Sequence, residues 1–312
     1  MKTTLAIDIG GTQLRAAVFP ENEDKPLRQK RLPTYVDGKP SLDRLLQLIH
    51  EVTEESETID AIGIVAPGPI NANTGVILAA PNLPEWAGVS ISDLCQKEFG
   101  APTFLGNDAN LAAIGEWKYG AGRGHHHLIY MTISTGIGSG VISHDQLIVG
   151  NNGLASELGH VTLLPDGPMC GCGQRGHLEA LASGTGIAKY FAEQLSNGRE
   201  SILSGKPDAK TISKAAKEGD ELALETFNRA GYYIGLAVAN YLAIFNPSIV
   251  IFGGGVSQAG DLIMNPIRKA MRESVFSEHF LMDLELSYAE LGDDVGLYGA
   301  LALARESLGA IS

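Results

Sequence analysis

Leu5, Ala6, Ile7 and Ile9 form an apolar run that ends at Gly10-Gly11-Thr12, and a second run, Gln13 to Phe19, follows at once. Short aliphatic runs on either side of a glycine pair predict strand, turn, strand. Another hairpin-like run covers Arg28 to Leu32. Leu42, Leu45, Leu46 and Ile49 recur at helical spacing and predict a helix over 42–52, and IDAIGIVAPG predicts a buried strand closing in a turn. A loop rich in Asn, Pro and Gly occupies 67–88; beyond it the pattern predicts a short helix over 91–99, a strand over 102–105 and a helix over 109–119. Glycines at 120–124 mark a lobe boundary. The opening pattern then returns weakly as LIYMTIS, the glycine turn Thr135 to Gly140, and VISHDQLIVG, so the second half repeats the first unit's strand, turn, strand. Helices are expected over 180–195, 211–228 and 229–245, then the strand SIVIFGGG with its glycine turn, and a terminal helix over 296–308 that returns to the first lobe. Alternating strands and helices of this kind specify an α/β fold.

At 312 residues the chain exceeds the usual size of a single core, which favours two lobes: 1–119 with 296–312, and 120–295. A content of 44% hydrophobic and 19% charged residues supplies core enough for both without a disordered tail. The formal charge of -13 would repel nucleic acid and anionic membranes. Asp8 interrupts the first apolar run before a signal-peptide core can form, and no later run is long enough to span a bilayer, so a cytoplasmic protein is expected. Of three cysteines, Cys170 and Cys172 are clustered, which in a reducing compartment points to metal. Cys95 falls on the apolar side of a short helix and is expected in the core.

The three glycine turns carry the first chemical signal. Glycines let successive backbone amides converge on one anion, and a nucleotide phosphate is the natural occupant. Each alone reads as a tight hairpin turn; together they favour phosphate binding. The chain has no Gly-Lys followed by Ser or Thr, as the Walker loop requires. Gly136 to Gly140 runs into a predicted strand and not a helix, so the dinucleotide fingerprint fails on context.

DIGGT at 8–12, PGP at 67–69, NLPEW at 82–86, NDAN at 107–110, STGIGSG at 134–140, ELGH at 157–160, CGCGQRGHLE at 170–179 and FGGG at 252–255 occur in an order and spacing that resemble the ROK family of sugar kinases, nearly end to end. The resemblance implies a two-lobed actin-like ATPase (ribonuclease H-like) fold with nucleotide and sugar in the interlobe cleft, and ATP-dependent phosphorylation of a hexose, glucose first among the candidates. It implies that Gly10, Gly11 and Thr12 lie on one side of the ATP phosphates, Thr135 and Gly136 on the other, and Gly254 and Gly255 near the adenosine. Asp8 would help hold the hydration shell of Mg2+. Gly68, Asn82, Asn107, Glu157, His160 and Glu179 would line the sugar site with Asp108, which takes the proton from the attacking hydroxyl. Zn2+ would be held by His160, Cys170, Cys172 and His177, a structural role, with His177 standing where the family's zinc loop has a third Cys. Metal loss is expected to spare nucleotide binding. A homodimer or homotetramer is also implied.

Plainer readings stand beside these. From position alone Asp108 is a helix N-cap, Glu157 and His160 are a surface pair three apart on a helix, and Asn82 and Asn107 are turn formers. His125-His126-His127 leads into a strand, where adjacent side chains diverge, and is expected to be exposed rather than metal-binding. Where family members often read Gly-Glu before the Gly-His pair, this chain has Ala155-Ser156-Glu157. Kinases for N-acetylhexosamine, mannose or fructose are the nearest alternatives. A sugar-responsive regulator is the alternative of another class, disfavoured because only seven residues precede Asp8.

Overall fold

The computed structural model describes residues 1–36, 41–79 and 84–311. Its contacts divide the chain into two compact units, Met1–Gly124 with Val149–Gly153 and Glu290–Ser312, and His125–Ile148 with Leu154–Ala289.

In the first unit β1 (Lys2–Ile9), β2 (Gln13–Pro20), β3 (Arg28–Pro33), α1 (Ser41–Val52), β4 (Thr58–Ala66), the small hairpin β5 (Ile70–Asn71) and β6 (Val76–Ile77), α2 (Ile91–Phe99), β7 (Thr103–Asn107) and α3 (Asp108–Tyr119) follow in order. The main sheet has the order β3-β2-β1-β4-β7, antiparallel across β1–β2 and β2–β3 and parallel across β1–β4 and β4–β7. Strand alternation explains its two faces. Leu5, Ile7, Ile9, Ile62 and Ile64 join Leu45, Leu48 and Ile49 of α1 and Ile91 and Cys95 of α2 in one core. The opposite face carries small residues, Ala6, Ala61 and Gly63 among them.

The second unit repeats the scheme. It comprises β8 (His127–Ile133), β9 (Ile137–Ser143), β10 (Gln146–Leu147), α4 (Leu178–Ala182), α5 (Gly184–Ser196), α6 (Ala209–Lys217), α7 (Glu221–Phe245), β11 (Ile249–Gly253), α8 (Asp261–Ser274) and β12 (Glu285–Tyr288). Its sheet order, β10-β9-β8-β11-β12, has the same pattern of antiparallel and parallel neighbours as the first. The weak repeat in the sequence is therefore a duplicated topology.

Several expected boundaries move. Gly138 and Gly140 belong to β9, paired with Thr132 and Tyr130, so the second glycine turn is only Ser134 to Gly136. The helix expected over 180–195 is broken at Ser183, whose side chain caps α5 by accepting from Gly186 N at 3.1 Å. The break expected at 228/229 falls instead at Gly219, with φ +93°, and at Asp220, which caps α7 through Ala223 N at 2.7 Å. The 25-residue α7 then runs unbroken past Gly231 and Gly235, because those glycines admit α8: a Cβ on Gly231 would stand 2.5 Å from Pro266 Cγ and one on Gly235 2.4 Å from Ile267 O. The three adjacent histidines diverge as expected, His125 to Ser248 Oγ, His126 to Asp145 and His127 to Ser143 Oγ.

The last helix, α9 (Val295–Ile311), completes the first unit. It lies against the small-residue face so closely that a Cβ on Gly63 would stand 1.9 Å from Ala300 O, and one on Gly299 2.2 Å from Leu111 O of α3. Glu116 of α3 is fully buried, and its carboxylate accepts from Ala121 N at 2.9 Å, Glu290 N at 3.1 Å and Leu291 N at 2.9 Å. One side chain thus holds the backbone near Gly124, where the chain first leaves this unit, and at Glu290, where it returns for the last time. Glu116→Gln can keep one acceptor oxygen but turns an NH2 toward backbone donors, and should cost about 3 kcal/mol of stability, read from the urea midpoint at unchanged slope.

Candidate active site

Strands β1, β4 and β7 run parallel, so their carboxyl ends share one edge of the first sheet, the place where open α/β sheets bind ligands. Asp8 stands near the end of β1, Gly68 just beyond β4, and Asn107 at the end of β7. A Cβ on Gly68 would approach Asn107 Nδ2 to 3.0 Å, which makes the two positions neighbours. Asn82 lies outside the described residues.

Asn107, and not Asp108, is the cap of α3. Its Oδ1 accepts from Ala109 N at 3.0 Å and from Asn110 N at 3.4 Å. Asp108 is the first helical residue, with Oδ1 2.8 Å from Ala109 N, and its side chain is open to solvent. Enough protein nevertheless surrounds the carboxyl for burial to raise its pKa, against the amide bonds and Asn107, which lower it.

Asp8 is pushed up to about 6, first by burial and then by the like charges of Asp108 and Asp294, with Arg15 opposing. Its carboxylate lies at the first turn of α9, 2.6 Å from where a Cβ on Gly296 would be. A folded pKa raised above the ordinary 3.8 means that the folded state holds the proton more tightly, so Asp8 lowers stability as pH rises through that window. In buffer free of divalent cations Asp8→Asn should therefore raise Tm. The gain should grow between about pH 4 and pH 6 and level off above, at about 3 kcal/mol; thermal melts across that range check it.

Between β1 and β2 the turn Gly10-Gly11-Thr12 is held by Gly10 N to Gln13 O at 2.9 Å, Thr34 Oγ1 to Gly10 O at 2.6 Å and Thr34 N to Thr12 O at 2.9 Å, while Gly11 and Thr12 are exposed. The matching turn of the second unit, Ser134-Thr135-Gly136, is closed by Ser134 N to Gly136 O at 2.9 Å. Gly254, with φ +83°, lies beside its root, since a Cβ there would stand 2.4 Å from Ile133 O. A cavity of about 1160 Å³ in this unit is lined by Thr135, Thr185, Lys189, Phe227 and Gly255 among others. Thr185 and Lys189 were hidden in sequence by an expected helix; the Gly184-Thr185-Gly186 triplet was the signal available. Asp294 was likewise missed, although Gly292-Asp293-Asp294 directly precedes α9.

His160 and His177 meet Cys170 and Cys172 in one cluster, with all four ligand atoms within 4.8 Å of one another. The loop between them is tight: Met169 bridges Arg175, Cys170 N donates to Gln174 O at 2.8 Å, and Gly173 takes φ +91°. His160 Nδ1 is 3.3 Å from His177 Nδ1 and 3.7 Å from Cys170 Sγ, and Cys172 Sγ is 3.3 Å from His177 Nδ1. Tetrahedral zinc at ordinary bond lengths needs edges of about 3.3 Å between nitrogens and about 3.5 Å between nitrogen and sulfur, so the donor set fits that ion. Glu157 is exposed at the start of a short 3-10 turn, Leu158–His160, and is not on the α-helix that the plainer reading required. Glu179, in the first turn of α4, accepts from Ile137 N at 3.0 Å.

Glycine turns at strand ends, a carboxylate cluster beside one of them and two sheets of one topology define a nucleotide-dependent phosphotransferase of the actin-like ATPase fold. The ROK family profile matches residues 4–307, and the chain belongs to that family. It is 38% identical over 313 residues to a glucokinase of Thermotoga maritima, covering 98% of each chain. A solved ROK family glucokinase from Streptomyces griseus, in complex with glucose and AMPPNP, matches with a TM-score of 0.79 and 34% identity over 97% of this chain and 99% of that one. A xylose repressor of Caldicellulosiruptor bescii is 30% identical over 274 residues, 84% of this chain and 68% of the repressor.

Proposed function

We propose that this protein is an ATP-dependent hexose kinase that converts glucose to glucose 6-phosphate, with Asp108 as general base. The observation that carries the mechanism is the division of labour at the start of α3: Asn107 takes the capping bonds and Asp108 keeps a solvent-accessible carboxylate whose pKa is raised toward the working range of a base. Near-full-length likeness to glucokinases supports glucose as the acceptor.

In this reading Asp108 takes the proton of the terminal hydroxyl as its oxygen bonds to the γ-phosphorus and the bond to ADP breaks. Gly68, Asn82, Asn107, Glu157, His160 and Glu179 orient the sugar. The turn Gly10-Gly11-Thr12, through the amides of Gly11 and Thr12, and the amides of Thr135 and Gly136 meet the phosphates, and the cavity beside Gly254 and Gly255 takes the adenosine. Magnesium carried with ATP supplies charge neutralisation; Asp8, crowded by Asp108 and Asp294 with Arg15 as the opposing charge, suits its hydration shell. Zinc on His160, Cys170, Cys172 and His177 supplies a fixed template: with Nδ1 committed to the cluster, the Nε2 of His160 is left for a sugar hydroxyl. The reading carries a cytoplasmic homodimer or homotetramer without nucleic-acid partners; among the described residues no helix is long and apolar enough to cross a membrane.

The test is a panel of glucose, mannose, fructose, N-acetylglucosamine and N-acetylmannosamine with MgATP, scored by kcat/KM. Glucose should lead. A higher efficiency on another sugar overturns the acceptor, and a chain inactive on all of them that binds duplex DNA specifically overturns the enzyme.

A further inference from the structure

Glu179 is the one side chain in the second unit for which contacts to both the phosphate turn and the metal cluster are seen. Its Oε2 accepts from Ile137 N at 3.0 Å, at the point where the turn Ser134-Thr135-Gly136 becomes β9. A Cβ on Gly136 would stand 2.5 Å from the same oxygen, so glycine is needed there to let the carboxylate reach the backbone. Its Oε1 lies 3.3 Å from Cys170 Sγ. Glu179 also sits two residues after His177, which is both a member of the cluster and the N-cap position of α4, so the cluster and the start of α4 share a residue. These contacts bring the turn Ser134-Thr135-Gly136 and the cluster within reach of one side chain, where the sequence reading placed them apart.

We propose that Glu179 is a positioning residue that ties the phosphate turn to the cluster, holding the turn through Oε2 while Oε1 faces the sugar. This rests on the kinase and zinc readings above. With Oε2 committed to the backbone of the turn, Oε1 is the oxygen left to accept from a sugar hydroxyl. A carboxylate bonded to Ile137 N also fixes the direction in which the amides just before it point, and two of those, Thr135 and Gly136, are the ones assigned to the phosphates. Order in the metal loop is thereby felt at the nucleotide, although no ligand atom of the cluster is assigned to it.

The experiment measures the affinity of AMPPNP with magnesium by calorimetry for the wild type, Glu179→Ala and Glu179→Gln, each before and after removal of metal by a chelator, with zinc counted by elemental analysis and folding checked by thermal melt. In the wild type, metal removal should weaken AMPPNP about tenfold. Glu179→Ala should start about tenfold weaker and change by less than about twofold on metal removal, the signature of a shared pathway. Glu179→Gln retains an acceptor for Ile137 N and should bind AMPPNP within about threefold of the wild type while its KM for glucose rises. Should Glu179→Ala unfold, the Glu179→Gln series and the wild-type response to the chelator still decide. Wild-type AMPPNP affinity in Glu179→Ala, or equal losses on metal removal with and without Glu179, overturns the positioning role. A chain isolated without zinc overturns the metal reading and with it the coupling, and is told apart by the elemental count.

Discussion

Asp108→Asn should lower kcat by on the order of 10² to 10⁴ while leaving the KM for glucose within a few fold of the wild type. Asn has the shape of Asp and can still accept from Ala109 N through its side-chain oxygen, as Asp108 Oδ1 does at 2.8 Å. What it cannot do is take a proton from the sugar hydroxyl. The competing structural role is already filled, since Asn107 makes the two capping bonds of α3. A loss of stability with turnover preserved would therefore contradict the site as described; steady-state kinetics beside a thermal melt separate the outcomes. Removing a carboxyl whose pKa burial raises should stabilise the fold at neutral pH.

The second large effect is expected from Cys172→Ser. Cys172 is exposed and contributes its sulfur to the cluster at the far end of the tight loop, 3.3 Å from His177 Nδ1. Serine is a poor zinc ligand, and a three-ligand remnant should fall from about one zinc per chain to nearly none. Binding to such a site is also ordering energy for the residues around it, here His160 and the turn that leads into α4. The KM for glucose should rise at least about tenfold, with kcat lowered as well. The second unit's own core, centred on Phe191, Phe227, Ile234 and Phe252, does not contain the cluster residues, so the variant should remain folded. Full glucose kinase activity in a zinc-free variant would dismiss the cluster as a functional element.

The first half of the fold was readable because its signals are local. An apolar run, a glycine pair and a second apolar run specify a hairpin, and NDAN before an apolar helix specifies a strand end and a helix start. The same local signals misled where glycine serves packing between helices. Gly231 and Gly235 look like weak points in a helix, yet α8 approaches across them and α7 does not break. Pro266 inside α8, and the short β12 beyond it, left the stretch after FGGG without a legible pattern. Of the site, each motif was visible, but the partners of each side chain were not. Nothing in the spacing of Asn107 and Asp108 says which of them caps, and nothing in the separation of 42 positions from Ile137 to Glu179 says that they touch. Those facts belong to the tertiary fold alone.

The glycine-lined seat of α9 also sets an order of events during synthesis. The elements of the second unit are complete by Ala289, whereas the first unit's sheet, its strands complete by Asn107, is covered on its small-residue face only when α9 has been made. Until then β1 and β4 present to water the face on which a helix backbone must lie almost in contact, at Gly63 against Ala300. A nascent chain should thus emerge from the ribosome with its middle folded and its beginning still waiting, and the opening 120 or so residues should be the stretch that chaperones hold and proteases cut.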